Sequence, residues 1–139
     1  MRRRCLLALP LLPALAQAES YEGAEQSILA GRLASPTGIT IEMPVLSENG
    51  NSVDISVRVD SPNTRADHVT AIHILAEKNP IPRVAGFTLG PRSGRAAVAT
   101  RIRLATTQTI LVLAETSRGQ VHRAAREVII LLGACVDGG

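Results

Sequence analysis

Aromatic side chains are almost missing from this chain: of 139 residues only Tyr21 and Phe87 are aromatic, and there is no Trp. A surface that stacks nucleobases or sugar rings on aromatic platforms is therefore excluded. The core must come from Val, Ile, Leu and Ala. Cysteine is nearly as scarce, with Cys5 in an apolar N-terminal stretch and Cys135 close to the other end. If the first is removed with an export signal, no internal disulfide can form, and with no Cys-x-x-Cys pair a thiol-disulfide enzyme is disfavoured. An excess of charge of one sign is also lacking. The chain has fifteen Lys plus Arg against twelve Asp plus Glu, and without Arg2, Arg3 and Arg4 the balance is twelve against twelve. The basic isoelectric point is thus no sign of nucleic-acid binding. No Ser-His-Asp arrangement, phosphate-binding glycine loop or paired catalytic acids can be traced. His68, His73 and His122 stand apart from one another and from other ligand types, so they read as surface residues, with no metal and no cofactor expected.

The N-terminus sets the compartment. Arg2-Arg3-Arg4, an apolar stretch from Cys5 to Ala16 and the small-residue site Ala16-Gln17-Ala18 form an export signal cleaved after Ala18. The stretch is shorter than the roughly 20 residues needed to cross a bilayer and is broken by Pro10 and Pro13, so no membrane anchor is expected. Arg3-Arg4-Cys5-Leu6-Leu7 resembles a twin-arginine signal, which implies a bacterial protein exported to the periplasm already folded. An ordinary secretory signal is the alternative.

About 120 residues remain, enough for one domain over residues 19–132. Ile28, Leu29, Arg32 and Leu33 at helical spacing predict a short helix within Tyr21–Ala34, packed through Ile28, Leu29 and Leu33 and ended before Pro36. Beyond it the period changes to two. Ile39–Met43 and Val53–Val59 alternate, with Glu48-Asn49-Gly50-Asn51 between them as a hairpin turn of residues that tolerate positive φ. Further strands are predicted at Val69–Glu77, Val84–Leu89, Ala96–Leu104, Thr109–Glu115 and Val121–Leu132, separated by Pro, Gly and Asn clusters. Seven short strands predict an all-β, immunoglobulin-like sandwich with a short N-terminal helix, a small barrel being the alternative. Ile110–Ala114 and Val128–Leu132 are continuous apolar runs, whereas a sandwich strand normally shows one face to water. Either the N-terminal helix covers their outer face or a second protein does, since a large aliphatic surface is rarely left bare.

Cys135 lies in Leu132-Gly133-Ala134-Cys135-Val136-Asp137-Gly138-Gly139. Residues 133–139 read as a flexible arm, with Gly133, Gly138 and Gly139 supplying freedom and a reach of roughly 10 Å from Leu132 to the thiol. No Lys, Arg or His adjoins the cysteine to favour its thiolate, so activation must come from whichever enzyme receives the arm. The segment Glu77-Lys78-Asn79-Pro80 reads as a turn closing a strand, because Pro80 and Pro82 fix the backbone. Arg101 and Arg103 alternate on one strand, at a partner surface or a solvated face.

The segments Glu48–Val53, Ile74–Pro82 followed by Phe87, and Ala99–Leu104, together with the cysteine arm, resemble SoxY, the cysteine-bearing subunit of the bacterial Sox thiosulfate-oxidation carrier. The resemblance spans nearly the whole mature chain in the same order. It implies a periplasmic carrier rather than an enzyme. Sulfur intermediates would be held covalently on Cys135, the domain would pair with a SoxZ-like subunit as a heterodimer, and contacts with a Sox-type cytochrome and a sulfate-releasing enzyme would be transient. The arm departs from the usual Gly-Gly-Cys-Gly-Gly ending: Ala134 replaces a glycine, and Val136-Asp137 adds stiffness and a negative charge after the thiol. From the residues alone, the alternative is a non-catalytic assembly or adhesion domain whose Cys135 makes an interchain disulfide dimer.

Overall fold

The structure, a computed structural model, describes residues 18–135. The expected signal, apart from Ala18, and the expected arm residues Val136, Asp137, Gly138 and Gly139 lie outside the described residues.

Helix α1 runs over Tyr21–Leu29. Ser20 caps it, its hydroxyl accepting from the Gly23 amide at 2.9 Å, which satisfies one of the free donors of the first turn. The helix stops earlier than its periodicity predicts. Ala30 (φ 49°) and Gly31 (φ 81°) both turn left-handed, and Arg32 folds back to donate to the Leu29 and Ile28 carbonyls at 2.8 and 2.7 Å. Leu33, expected in the packing face, is consequently 96% exposed. Ala24 and Ile28 make the buried stripe instead.

Nine strands follow: β1 Ala34–Ser35, β2 Ile39–Glu42, β3 Leu46–Asn49, β4 Val53–Val59, β5 Val69–Ala76, β6 Arg83–Thr88, β7 Ala97–Ile102, β8 Gln108–Thr116 and β9 Val121–Leu132. Six form one sheet in the order β1-β9-β8-β5-β6, with β3 also on β9. The other sheet is β2-β4-β7. The two sheets make an immunoglobulin-like sandwich. Its filling follows the alternation of the sequence: Val53, Ile55, Val57 and Val59 face Ile72, Ile74, Ile110, Val112, Val128 and Ile130. A bulge between Val69 and Ala71 shifts the inward phase, so Val69 and Ile72 both reach the core.

The expected hairpin at Glu48–Asn51 is not formed as such. Although β2 and β4 pair antiparallel, their connection leaves that sheet and lays β3 parallel to the end of β9, Leu46 opposite Ile129 and Asn49 opposite Leu132. β1 pairs with the beginning of β9 in the same sense, so two short pieces share one strand edge.

The continuous apolar run of β8 is explained by its central position. Ile110, Val112 and Ala114 point into the sandwich, while Leu111 and Leu113 point outward and join Leu75 and Val121 beneath Ala24 and Ile28 of the helix. Glu115, at the far end of β8, pins the helix end: its carboxylate accepts from Arg32 Nη2 at 2.6 Å and meets His73 Nε2 at 2.8 Å. Partial burial pushes the Glu115 carboxyl up, but the bonds from Arg32 and His73 together outweigh it and hold the group below the usual carboxylate range.

Candidate functional site

Cys135 is a free, exposed thiol just beyond the end of β9. The chain that leads to it is held by three layers of contacts. Gly133 lies so close to the 103–108 connection that an added Cβ would overlap the Ala105 carbonyl oxygen. Ala134 is buried, and its amide donates to the Leu104 carbonyl at 2.9 Å. Ile130, three residues before Gly133, has its amide on Thr107 Oγ1 at 2.9 Å. Gly133, expected to loosen the arm, is therefore the first docked residue of its root. Of the expected arm only Cys135 stands free among the described residues.

Leu104 is the hub of this arrangement. On one side its amide donates to the Gly50 carbonyl at 2.8 Å and its carbonyl accepts from Ala134, while the Gly50 amide donates to the Leu132 carbonyl at 2.8 Å. Gly50 has no positive φ. It is glycine because a Cβ would overlap the Leu104 carbonyl oxygen and press on Ala134 N and Ile130 Cγ2, each 3.0 Å away. On the other side stands Asn79, 8% exposed. Its Nδ2 donates to the Arg103 carbonyl at 2.8 Å and its Oδ1 accepts from the Ala105 amide at 3.0 Å. Gln108, 3% exposed, completes the support: Nε2 donates to Asn79 Oδ1 at 2.9 Å and to the Thr106 carbonyl at 3.0 Å, and Oε1 accepts from the Lys78 amide at 2.8 Å.

Sequence reasoning treats Glu77–Pro80 as a simple strand-closing turn and passes over Gln108. The available signal is chemical: a buried amide is kept only where it is fully bonded, and Gln108 stands two residues before the apolar run Ile110–Ala114. The other polar residues singled out serve elsewhere. His73 joins Glu115, His68 Nδ1 sits 3.1 Å from the Thr64 carbonyl, and His122 Nδ1 sits 2.8 Å from the Thr37 carbonyl. Arg101 pairs with Asp54 across β7 and β4, both exposed. Among the described residues no three His, Cys, Asp or Glu gather to hold a metal ion, and no helix is long and apolar enough to cross a membrane.

Next to the arm root the outer face of the large sheet is bare. The helix lies over Leu111 and Leu113 of β8, and toward the end of β9 Ile129 and Leu131 are exposed on that outer face with Leu46 beside them, while Leu132 and Val45 are exposed at the strand ends. Leu46 stands opposite Ile129, and cross-strand partners share a face, so Leu46, Ile129 and Leu131 form one apolar patch.

A model of the sulfur oxidation protein SoxY matches residues 25–135, from within α1 to the exposed cysteine. The chain belongs to the SoxY family. Among solved structures, the sulfur carrier protein SoxY from Chlorobium limicola f thiosulfatophilum is 32% identical, with a TM-score of 0.62 over 81% of this chain and 95% of that one. Superoxide reductases share the fold alone. The neelaredoxin of Ignicoccus hospitalis is 16% identical at a TM-score of 0.61, over 82% of this chain and 90% of that one. The superoxide reductase of Nanoarchaeum equitans is 11% identical at a TM-score of 0.55, over 67% of this chain and 93% of that one. No curated protein matches. Family and neighbour together make this a sulfur-oxidation protein of the carrier type, and the only cysteine among its described residues is presented at the protein surface.

Proposed function

We propose that the chain is a periplasmic carrier that holds thiosulfate-derived sulfur covalently on Cys135 while separate enzymes act on it. The observation that carries this reading is the exposed, unpaired thiol at the end of a SoxY-family domain, just past a docked arm root. Joining Sγ to the outer sulfur of thiosulfate forms one S–S bond and releases the thiol proton and two electrons. Loading thus requires an oxidant, the role of a Sox-type cytochrome. Hydrolysis of the terminal sulfonate then needs only water: it releases sulfate and leaves a persulfide on Cys135, with no net electron transfer. The domain supplies neither step itself, because the sequence sets no basic side chain next to the thiol. A SoxZ-like subunit fits the bare patch of Leu46, Ile129 and Leu131, because pairing would remove that surface from water beside the arm.

Intact mass of the exported protein tests the reading. A chain starting at Glu19, with sulfur or thiosulfonate adducts that disappear on reduction and are absent from Cys135→Ser, is the expected result. Adducts on the Ser variant would end the carrier assignment. So would a native protein found only as unmodified thiol and a reducible dimer, which would leave the interchain-disulfide role.

A further inference from the structure

The amide of Asn79 acts on the backbone as a short strand would. Its donor and acceptor grip Arg103 O and Ala105 N, the two groups that flank Leu104 on one edge of the chain. The opposite edge of the same step, Leu104 N and O, is the one that bonds Gly50 and Ala134. Extended backbone presents successive peptide groups to opposite sides, so fixing one edge fixes the other. Gln108 ties Asn79 to β8 from behind, and the Lys78 amide bonds Gln108 Oε1.

We infer that Asn79 is a positioning residue for Cys135. By bracketing Leu104 it fixes the bonding edge on which Ala134 docks, and so sets the point at which the arm leaves the domain. The inference rests on the carrier reading and sharpens it. With Ala134 held, the thiol lies within one residue, roughly 3.5 Å of chain, of a rigid anchor. Enzymes that load the thiol must therefore come up to the end of the sandwich where β3, β9 and the 103–108 connection meet, or else pull Ala134 off Leu104.

Site-resolved amide exchange in D2O separates positioning from general stabilisation. The mature protein is compared with Asn79→Ala and with Glu115→Gln, a change at the opposite end of β8 that weakens the domain without touching the arm root. Conditions are chosen so that exchange at Val57 in the core reports equal global stability for the two variants. In Asn79→Ala the Ala134 amide is expected to exchange about tenfold faster than in Glu115→Gln. Alkylation of Cys135 by iodoacetamide should stay unchanged, because the thiol is already exposed. Equal Ala134 exchange in the two variants would overturn the positioning role and leave the carrier reading intact. Wild-type protein that never gains sulfur on Cys135, while Ala134 exchange responds as expected, would end the carrier reading and leave the clamp standing as a structural device only.

Discussion

Replacing Gly133 by alanine tests how the arm is rooted, because two opposing demands meet at that residue. An alanine methyl would overlap the Ala105 carbonyl oxygen, and the 103–108 connection cannot retreat while Asn79 and Gln108 hold it. The root, however, is held beyond β9 by one backbone bond among the described residues, Ala134 to Leu104, and can peel away. The penalty is then capped by what docking contributes: one hydrogen bond from Ala134 to Leu104, worth about 1 kcal/mol net, and burial of the Ala134 methyl, about 0.8 kcal/mol. Loss of a glycine from the unfolded chain returns about 0.5 kcal/mol. The net expectation is a loss of about 1.3 kcal/mol, and at roughly 4 °C per kcal/mol for a domain of this size the melting temperature falls by about 5 °C. Gly50→Ala makes the contrast. Gly50 is bonded on both sides, to Leu132 and Leu104, and lies in mid-chain, so it cannot peel and should cost about 3 kcal/mol. Thermal melts of both variants, with exchange at Ala134, check the pair. A Gly133→Ala melt equal to wild type would refute the docked root, and one as low as that of Gly50→Ala would refute the peeling argument.

Neighbouring residues on β9 should separate fold from partner: Ile130, 8% exposed, lies in the sandwich core, whereas Ile129 is 43% exposed. Ile130→Asp is expected to cost several kcal/mol, and Ile129→Asp to leave the isolated domain folded but abolish co-purification with a SoxZ-like subunit. Equal unfolding of the two, seen by circular dichroism, would contradict the interface. Glu115→Gln should destabilise by about 1–2 kcal/mol at pH 7 by urea titration. Because the folded carboxyl is held below the ordinary carboxylate value of 4.5, its contribution is present above that value and is lost as pH falls through the lower folded pKa. The two proteins should therefore converge in acid once the pH has passed below the folded pKa, and a gap that persists there would count against the Arg32–Glu115–His73 network. Arg32→Ala should remove the helix cap as well, lowering the melting temperature by a further few degrees relative to Glu115→Gln.

Much of the architecture could be read from alternation alone. Val53–Val59 coincides with β4, because a period of two with Gly and Pro breaks is a local property that burial then obeys. The unbroken apolar run of β8 was also legible as a strand covered on both faces, though its pattern could not say that the helix supplies the cover. Other features depend on contacts remote in sequence. β3, four residues with no apolar alternation, exists because β9 offers it an edge. Leu33 has a helical spacing that the left-handed turn at Ala30 and Gly31 overrides. Gly133 and Gly50 look like flexible residues in a linear reading and are tight packing points in the folded one. The sequence by itself determined the sandwich and the cysteine near its end, since both follow from side-chain pattern and residue identity. Only the tertiary structure decided that the arm is anchored up to Ala134, because that anchorage is made by backbone groups and by two buried amides, Asn79 and Gln108, drawn together from distant parts of the chain.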